Sequence, residues 1–409
     1  MPNAFNKEEI VLFEKSFEAF EKTLQMSMKA DKLAVSPTTM QRTGDEIWLP
    51  VPIIAGATSG LDTTGQTADY VELAVPGRTD QIRNSQWELN AKALRDPHYA
   101  QKQSIAAGQK LAAEVEVAIA NMLKINAGHC VKRGTATGYD DIAECDTRLS
   151  EIGVQSLGRN MFLNARDNQK IASNLAGRQT VDGKVQTALE KNYLGRYAGF
   201  ETYREDIMPR LAAAAGGATT IDGANQVLTP AATSTASTGE TSNVDNRYQY
   251  LVVDNTAGCA VGDRFTIPSV YNVHAITKER TNQLFTNSIV EVVNGTTLKV
   301  LAMIDSGVYQ NVSAAPANGA ALTWLNTVAS PINVFWESDS VLVLPGSLSF
   351  DQFRESMAVM EATTDNGIKM AMMRQANIFT AVQTYRFTIN FGVTNINTLK
   401  NGIMLFDQT

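Results

Sequence analysis

The stretch LRDPHYAQKQSIAAGQKLAAEVEVAIANMLKI, residues 94–125, decides how the rest of this chain is read. Asp96 followed by Pro97 marks a helix start. The carboxylate can accept the first free amide hydrogens, and proline lacks only a donor that the first turn leaves unused. Leu111, Val115, Ala118, Ile119 and Met122 recur at steps of three and four, which stacks them on one face. Lys102, Lys110, Glu114, Glu116 and Lys124 fall mostly off that face. At 1.5 Å per residue, a helix from Pro97 to Ile125 is roughly 40 Å long. A helix of that length is a spine for something extended, and its apolar face needs partners.

Working outward toward the N-terminus, Asn6-Lys-Glu-Glu9 has the spacing of a capping box, with Glu8 and Glu9 near a positive helix end. Ile10, Phe13, Phe17, Phe20 and Leu24 follow as one apolar stripe. Two readings are open: the stripe packs on its own body, as most such stripes do, or it arms a mobile segment for a partner. Next, TMQRTGDEIWLPV (39–51) drops from helical into alternating pattern. Ile47–Val51 and Tyr70–Val75 read as strands flanking a Gly/Thr/Ala-rich segment, which predicts a long two-stranded projection with a soft tip. Proline at 50, 52 and 76 suits edge strands.

Beyond the spine, Met161–Asn164 reads as a buried strand, Asn168–Leu175 and Val185–Asn192 as short helices, and Arg196–Tyr203 as a turn entering a strand. AAAAGGATTIDGANQ (212–226) has linker composition, and the following hundred or so residues lose helical period. Strands are expected at Tyr248–Val253, Arg264–Ile267, Ser288–Val293 and Thr297–Met303, with Asn294-Gly295 supplying a type I′ hairpin turn. Short strands at that spacing mean a small barrel or sandwich. INVFW (332–336), VLVLP (341–345), IKMAMMR (368–374) and YRFTINFGV (385–393) then resume the framework. The simplest topology is an α+β body with an all-β domain inserted between about 219 and 330.

With 409 residues, 44% hydrophobic and 19% charged, the chain has ample core. A net charge of −7 without a long Lys/Arg run argues against general nucleic-acid binding. Three cysteines (Cys130, Cys145, Cys259) form no CxxC pair and suit a reducing compartment. No signal-peptide pattern or apolar run long enough for a membrane span is seen. His98, His129 and His274 lack metal-ligand spacing, and HExxH, GxxxxGK[ST], GxSxG and GxGxxG are all missing. His129-Cys130 is the one Cys/His neighbour pair, and adjacency in sequence does not make a catalytic dyad. No catalytic, cofactor or metal site is expected. What stands out is a spine, a projecting hairpin, an N-terminal helix and an inserted β domain, all devices for contacting neighbours.

MQR…IW-x-PV (40–51), VELAV (71–75), ALRD (93–96), AIANM (118–122), NVDNR (243–247), GDRFTI (262–267), VVNGTTLKV (292–300), NVFW (333–336) and YR-x-x-I-x-x-GV-x-N (385–395) occur in that order. Together they resemble the major capsid proteins of short-tailed lambdoid phages of the Salmonella phage P-22 type. The resemblance implies the Hong Kong 97 type capsid fold, α+β, with long spine helix, mixed sheets, extended loop and an inserted six-stranded β-barrel. It implies a helical arm over 1–35, an extended loop and peripheral domain over 36–126, and the first part of an axial domain over 127–218. The barrel would occupy 219–330 and return strands 331–409. The implied partners are further copies of the chain as hexamers and pentamers of a closed shell, a scaffolding protein, a portal protein and packaged double-stranded DNA contacted non-specifically, with no membrane. The implied location is the virion capsid, assembled in the bacterial host cytoplasm. Where the family's loop before NVDNR carries several charges, TPAATSTASTGETS (229–242) holds only Glu240. Candidate structural and interface residues are Met40, Gln41, Arg42 and Trp48 at the loop base, and Leu111, Val115 and Ile119 on the spine. Asn294 and Gly295 at the hairpin and Trp336 on a return strand complete the set. The alternative is a surface adhesin or carbohydrate-binding protein, suggested by the Ser/Thr-rich β segment.

Overall fold

In the computed structural model the spine helix runs Pro97–Asn126. Asp96 Oδ1 accepts from the amides of His98 (3.0 Å) and Tyr99 (3.4 Å), so the cap is the one its sequence encodes. The structure describes residues 5–33, 46–51, 61, 64, 71–90, 92–93, 96–177, 194–354, 357–377 and 379–408. Met40, Gln41, Arg42, the helix expected over 185–192 and nearly all of the extended loop's tip lie outside them. Leu111, Val115 and Ile119 are buried as expected. Ala118 and Met122 are only half-buried, and Glu116, expected off the apolar face, is fully buried. Its carboxylate accepts the amide hydrogens of Met26 (2.6 Å) and Ser27 (3.2 Å), the free first-turn donors of the short helix Met26–Lys29. Those bonds are what let a charge sit inside the core.

The chain forms two compact units. The first comprises Met1–Ile47, Gly77–Ile119 and Val341–Thr394. Its sheet runs in the order Asp31–Lys32, Val341–Pro345, Val382–Asn395, Lys369–Asn377, Ala358–Thr363, and Gln81–Asn90 pairs with Val382–Asn395 over ten residues. Helix Lys7–Thr23 begins with the predicted capping box: Asn6 Oδ1 accepts from the Glu9 amide (2.8 Å) and Glu9 accepts from the Asn6 amide (3.0 Å). It buries Leu12, Phe13, Ser16 and Phe20, while Ile10 faces solvent at 38% exposure. Two anchors set this roll of the helix. Glu9 is gripped by Arg374 (2.6 Å) and the Tyr385 hydroxyl (3.1 Å), and Ser104 Oγ donates to the Leu12 carbonyl (3.0 Å). A Cβ at Gly108 would lie 2.4 Å from the Ser16 carbonyl oxygen, so only glycine lets the two helices approach this closely. Phe13 meets Phe387 edge-on at 6.2 Å, and Trp87 stacks on Tyr385 at 5.6 Å. Of the two readings of the N-terminal stripe, this is packing on its own body.

The second unit comprises Trp48–Pro76, Ala120–Ser340 and Asn395–Thr409. Its main sheet runs His129–Lys132, Asn401–Leu405, Ser330–Glu337, Arg159–Asn164, Phe200–Glu205, Arg196–Tyr197, with Arg210–Leu211 also on Ser330–Glu337. Helices Tyr139–Glu151 and Ala165–Ala176 cover it through Ile142, Cys145, Leu149, Ile171, Phe335 and Met404. A second core, centred on Leu251, Phe265, Phe285, Ile289, Leu298 and Val300, lies wholly within the β-rich segment. There a sheet of five strands, not the six expected, runs Tyr248–Val252, Thr297–Leu301, Arg280–Asn294, Arg264–Val273, Thr323–Trp324. Thr220 and Ile221 add only single bridges, to Ala321 and Val253, because the chain there turns between the two partners instead of following either.

The hairpin at Asn294-Gly295 forms, with Asn294 opposite Thr297, but neither Asn294 nor Gly295 adopts the positive φ of a type I′ turn. Asn294 Oδ1 accepts from the Thr296 amide (2.9 Å), and the Gly295 and Thr296 carbonyls accept from the amides of Thr256 (3.1 Å) and Val253 (2.8 Å). Those tertiary bonds, not the dipeptide's own preference, fix the corner. The strand foreseen at Tyr70–Val75 runs instead over Ala74–Arg78 and pairs with Glu46–Pro50, on which Trp48 is half-buried.

Candidate functional site

A tightly held joint lies at the end of the spine helix. Helix C-termini leave carbonyls without intrahelical donors and carry partial negative charge. Here Arg264, first residue of a strand in the β-rich segment and fully buried, points its guanidinium at three carbonyls where the helix ends. It donates to Leu123 O (3.1 Å), Lys124 O (2.7 Å) and Ala127 O. Burial pulls its pKa down to about 10, so the cation persists at neutral pH. Thr286, one strand over, accepts from the Cys130 amide (3.1 Å) and donates to the Gly128 carbonyl (2.8 Å). Asn395 Nδ2 donates to Asn126 O (2.8 Å). The β-rich segment is therefore bolted to the end of the spine through desolvated polar contacts. Sequence inspection passed over Arg264, which lies inside the GDRFTI motif; a lone arginine opening an apolar strand was the available signal.

The small-residue run at 212–218 is largely exposed but tied down. Ala214 and Ala212 bond to Asn326, and a Cβ on Gly216 would lie 2.4 Å from the Trp324 ring. Arg210–Leu211 pairs with Ser330–Pro331, and Thr220 with Ala321, so the ends of the segment run side by side. Residues 232–243 form an exposed hairpin, Thr233–Thr235 against Thr241–Asn243, whose one ionisable side chain is Glu240. On either side of residues 52–70, Val51 N bonds Leu73 O (2.9 Å), Ala74 bridges Asp245, and the Tyr309 hydroxyl donates to Val71 O (2.7 Å). Arg247 holds the same corner through both Asp245 oxygens and Asn395 O (2.6 Å).

The structure does not bring the remaining candidates together into one site. Leu111, Val115 and Ile119 are core; Asn294 and Gly295 are exposed at a hairpin corner; Trp336 is buried and stacks on Phe162 at 4.8 Å. His129 and Cys130 point to opposite sides of one strand, as neighbouring strand residues do. His129 Nε2 lies 2.8 Å from Leu399 O, and burial pulls its pKa down to about 4, leaving a neutral donor. Burial pushes the Cys130 thiol up to about 11, and Cys145 and Cys259 also rise by burial, the opposite of an activated nucleophile. Among the described residues no group of three or more His, Cys, Asp and Glu could hold a metal ion, and no helix is long and apolar enough to cross a membrane.

The described residues form an α+β chain with a long spine helix and a β-rich segment, and the family below makes it a coat protein. Solved structures similar to the chain include that of Mycobacterium phage Che8, at 9% identity and a TM-score of 0.43, covering 90% of this chain and 88% of that one. The capsid of the cyanophage P-SCSP1u is similar at 9% identity and a TM-score of 0.45, covering 93% and 87%. The CUS-3 coat protein I-domain matches at 34% identity and a TM-score of 0.21, covering 27% of this chain and 96% of that one. The chain belongs to the P22 coat protein family: the model for "P22 coat protein - gene protein 5" matches residues 1–407. It forms the icosahedral shell of a virion.

Proposed function

We propose that the chain assembles with a scaffolding protein, as hexamers and pentamers around a portal protein, into a procapsid in the host cytoplasm. Packaged double-stranded DNA then meets its inner surface without sequence preference, and the protein performs no catalysis. The observation that carries this reading is the family match over residues 1–407, which leaves room for every part such an assembly uses. The protonated thiols and neutral His129 support the non-catalytic role. A net charge of −7 supports loose rather than tight contact with DNA. Each interface in such a shell is modest, on the order of a few kcal/mol, so that misplaced subunits dissociate while many simultaneous contacts hold the closed shell. Family membership sets aside the adhesin alternative.

Two finer assignments follow. Residues 219–330 act as a domain that folds around its own core, its two ends adjacent. Trp48 and Val51 anchor the base of the extended loop, and Met40, Gln41 and Arg42 are interface candidates. The test of the whole reading is co-expression with a candidate scaffolding protein followed by negative-stain microscopy. Uniform closed particles are expected with the scaffold, and irregular or few particles without it. Identical particles in both cultures, or none in either, refute the scaffolded pathway.

A further inference from the structure

The Asn294-Gly295 corner carries a chemistry that the shell role leaves unused. An asparagine followed by glycine can lose its side-chain amide, because the next backbone nitrogen lies close to the carboxamide carbon and glycine has no Cβ to shield it. The chain holds four such pairs, at 294–295, 318–319, 366–367 and 401–402, all within the described residues. The reaction needs an accessible carboxamide, an attacking nitrogen that is not engaged elsewhere, and donors on the oxygen where negative charge gathers.

Three of the pairs fail one of these conditions. Asn401 is fully buried, and its Nδ2 donates to Asn395 Oδ1 (2.8 Å) while its Oδ1 accepts from the Gly128 amide (3.3 Å). Asn366 is buried too, and the Gly367 amide donates to Thr364 O (2.8 Å). Asn318 is exposed, but the Gly319 amide donates to Ile221 O (2.8 Å), so its nitrogen is occupied. The remaining pair differs on every count. Asn294, Gly295 and Thr296 are all exposed, and the Gly295 amide has no acceptor among the described residues. Asn294 Oδ1 accepts from both the Thr296 amide (2.9 Å) and the Thr296 hydroxyl (3.2 Å). Asn294 Nδ2, the group that must leave, makes no hydrogen bond among the described residues.

We propose that Asn294 is a self-modifying site, which in the folded chain deamidates through Gly295 ahead of the other three pairs. The Gly295 nitrogen gives its proton to solvent and forms a bond to Asn294 Cγ. The carbonyl electron pair moves onto Oδ1, beneath the two Thr296 donors that already face it. Return of that pair breaks the Cγ–Nδ2 bond, and the nitrogen takes a proton from water and leaves as ammonia. Water then opens the five-membered imide at either carbonyl, giving aspartate or isoaspartate. One water is consumed and one ammonia released, with no oxidant, reductant or cofactor. Either product puts a carboxylate on the corner. In isoaspartate the main chain also runs through Cβ and Cγ, so the Asn294 carbonyl that accepts from the Thr256 hydroxyl (2.9 Å) leaves the main chain and becomes that carboxylate.

The experiment incubates the full chain as subunits in mildly alkaline buffer, native and in urea, and follows the four peptides by mass and isoaspartate content. In native protein Asn294 is expected to gain the mass of an amide-to-acid exchange while the other three asparagines stay intact. In urea all four are expected to react at similar rates, because only the fold tells them apart. Gly295→Ala is expected to abolish the native reaction and leave the melting temperature unchanged, since a Cβ there meets nothing within 4 Å and the residue has no positive φ. Thr296→Val keeps the amide donor and removes the hydroxyl, which is expected to slow the reaction roughly two- to fivefold, the contribution of one hydrogen bond. Native Asn294 as inert as the other three overturns the proposal, and so does Asn318 reacting first. A reaction that persists in Gly295→Ala overturns the imide route, and a rate unchanged by Thr296→Val overturns the part given to that hydroxyl.

Discussion

Replacing Arg264 with methionine keeps much of the side chain's bulk and deletes its charge and donors. The Lys124 and Ala127 carbonyls then lose this donor, and Leu123 O, which also accepts from the Ala127 amide (3.0 Å), loses one of its two. A hydrogen bond to a charged group contributes roughly 1.5–3 kcal/mol, and a cation at a helix C-terminus up to about 2 kcal/mol when partly buried. Against this stands relief from burying a guanidinium, several kcal/mol, already visible in the lowered pKa. Removing one side of a buried charged arrangement generally costs about 3–5 kcal/mol, and the stranded carbonyls place this case near 4. With a urea slope of roughly 2–3 kcal/mol per molar, the midpoint falls by about 1–2 M. Arg264→Lys keeps the charge but cannot span three carbonyls, so its midpoint lies between the two. The readouts are urea unfolding followed by far-ultraviolet circular dichroism and amide hydrogen exchange over residues 119–130, where protection drops first. A wild-type midpoint in Arg264→Met, with unchanged exchange at those amides, refutes the argument that this cation caps the spine.

Leu111→Ala, at a position 1% exposed, leaves a cavity and lowers stability by roughly 2–4 kcal/mol; an unchanged melting temperature would show that face to be open. Gly108→Val drives a side chain into the Ser16 carbonyl, so soluble yield falls sharply while Gln109→Val on the exposed side does not reproduce it. For His129 the folded pKa, about 4, lies below the unfolded 6.5, so the unfolded chain binds more protons between those values. Its contribution, about 3 kcal/mol, is complete above pH 6.5 and disappears as pH falls toward 4. His129→Gln, which keeps a donor for Leu399 O, is expected to flatten the dependence of the urea midpoint on pH in that window, and an identical slope in wild type and variant rejects the assignment.

The elements that were legible in advance share a property: each is announced within a few residues of itself. Asp96-Pro97 and the apolar period of the spine, the Asn6–Glu9 capping box, and the apolar strands at 332–336 and 385–393 belong to this group. Strand Gln81–Asn90 escaped notice because QIRNSQWELN offers almost no apolar alternation. Its inward positions include Arg83 and Ser85, and it is a strand because Val382–Phe391 supplies ten paired residues. The helix Tyr139–Glu151 was likewise hidden in a polar run whose buried side needs a sheet built from both ends of the unit.

What the sequence determined alone was the helix and strand inventory of the framework, the switch to β pattern after residue 218, and, through ordered motifs, the family. Local periodicity suffices for these because backbone hydrogen bonding and side-chain direction repeat over a few residues. Only the tertiary structure decided that Glu116 is buried, that Arg264 closes the spine, that the Asn294-Gly295 corner has no positive φ, and that Gly216 lies against Trp324. Each depends on a partner far away in the chain: Glu116 on residues 89 and 90 positions earlier, Arg264 on ones 137 to 141 positions earlier. A charge or a bare backbone can be buried only where such a partner desolvates with it, and no local pattern records which partner that will be.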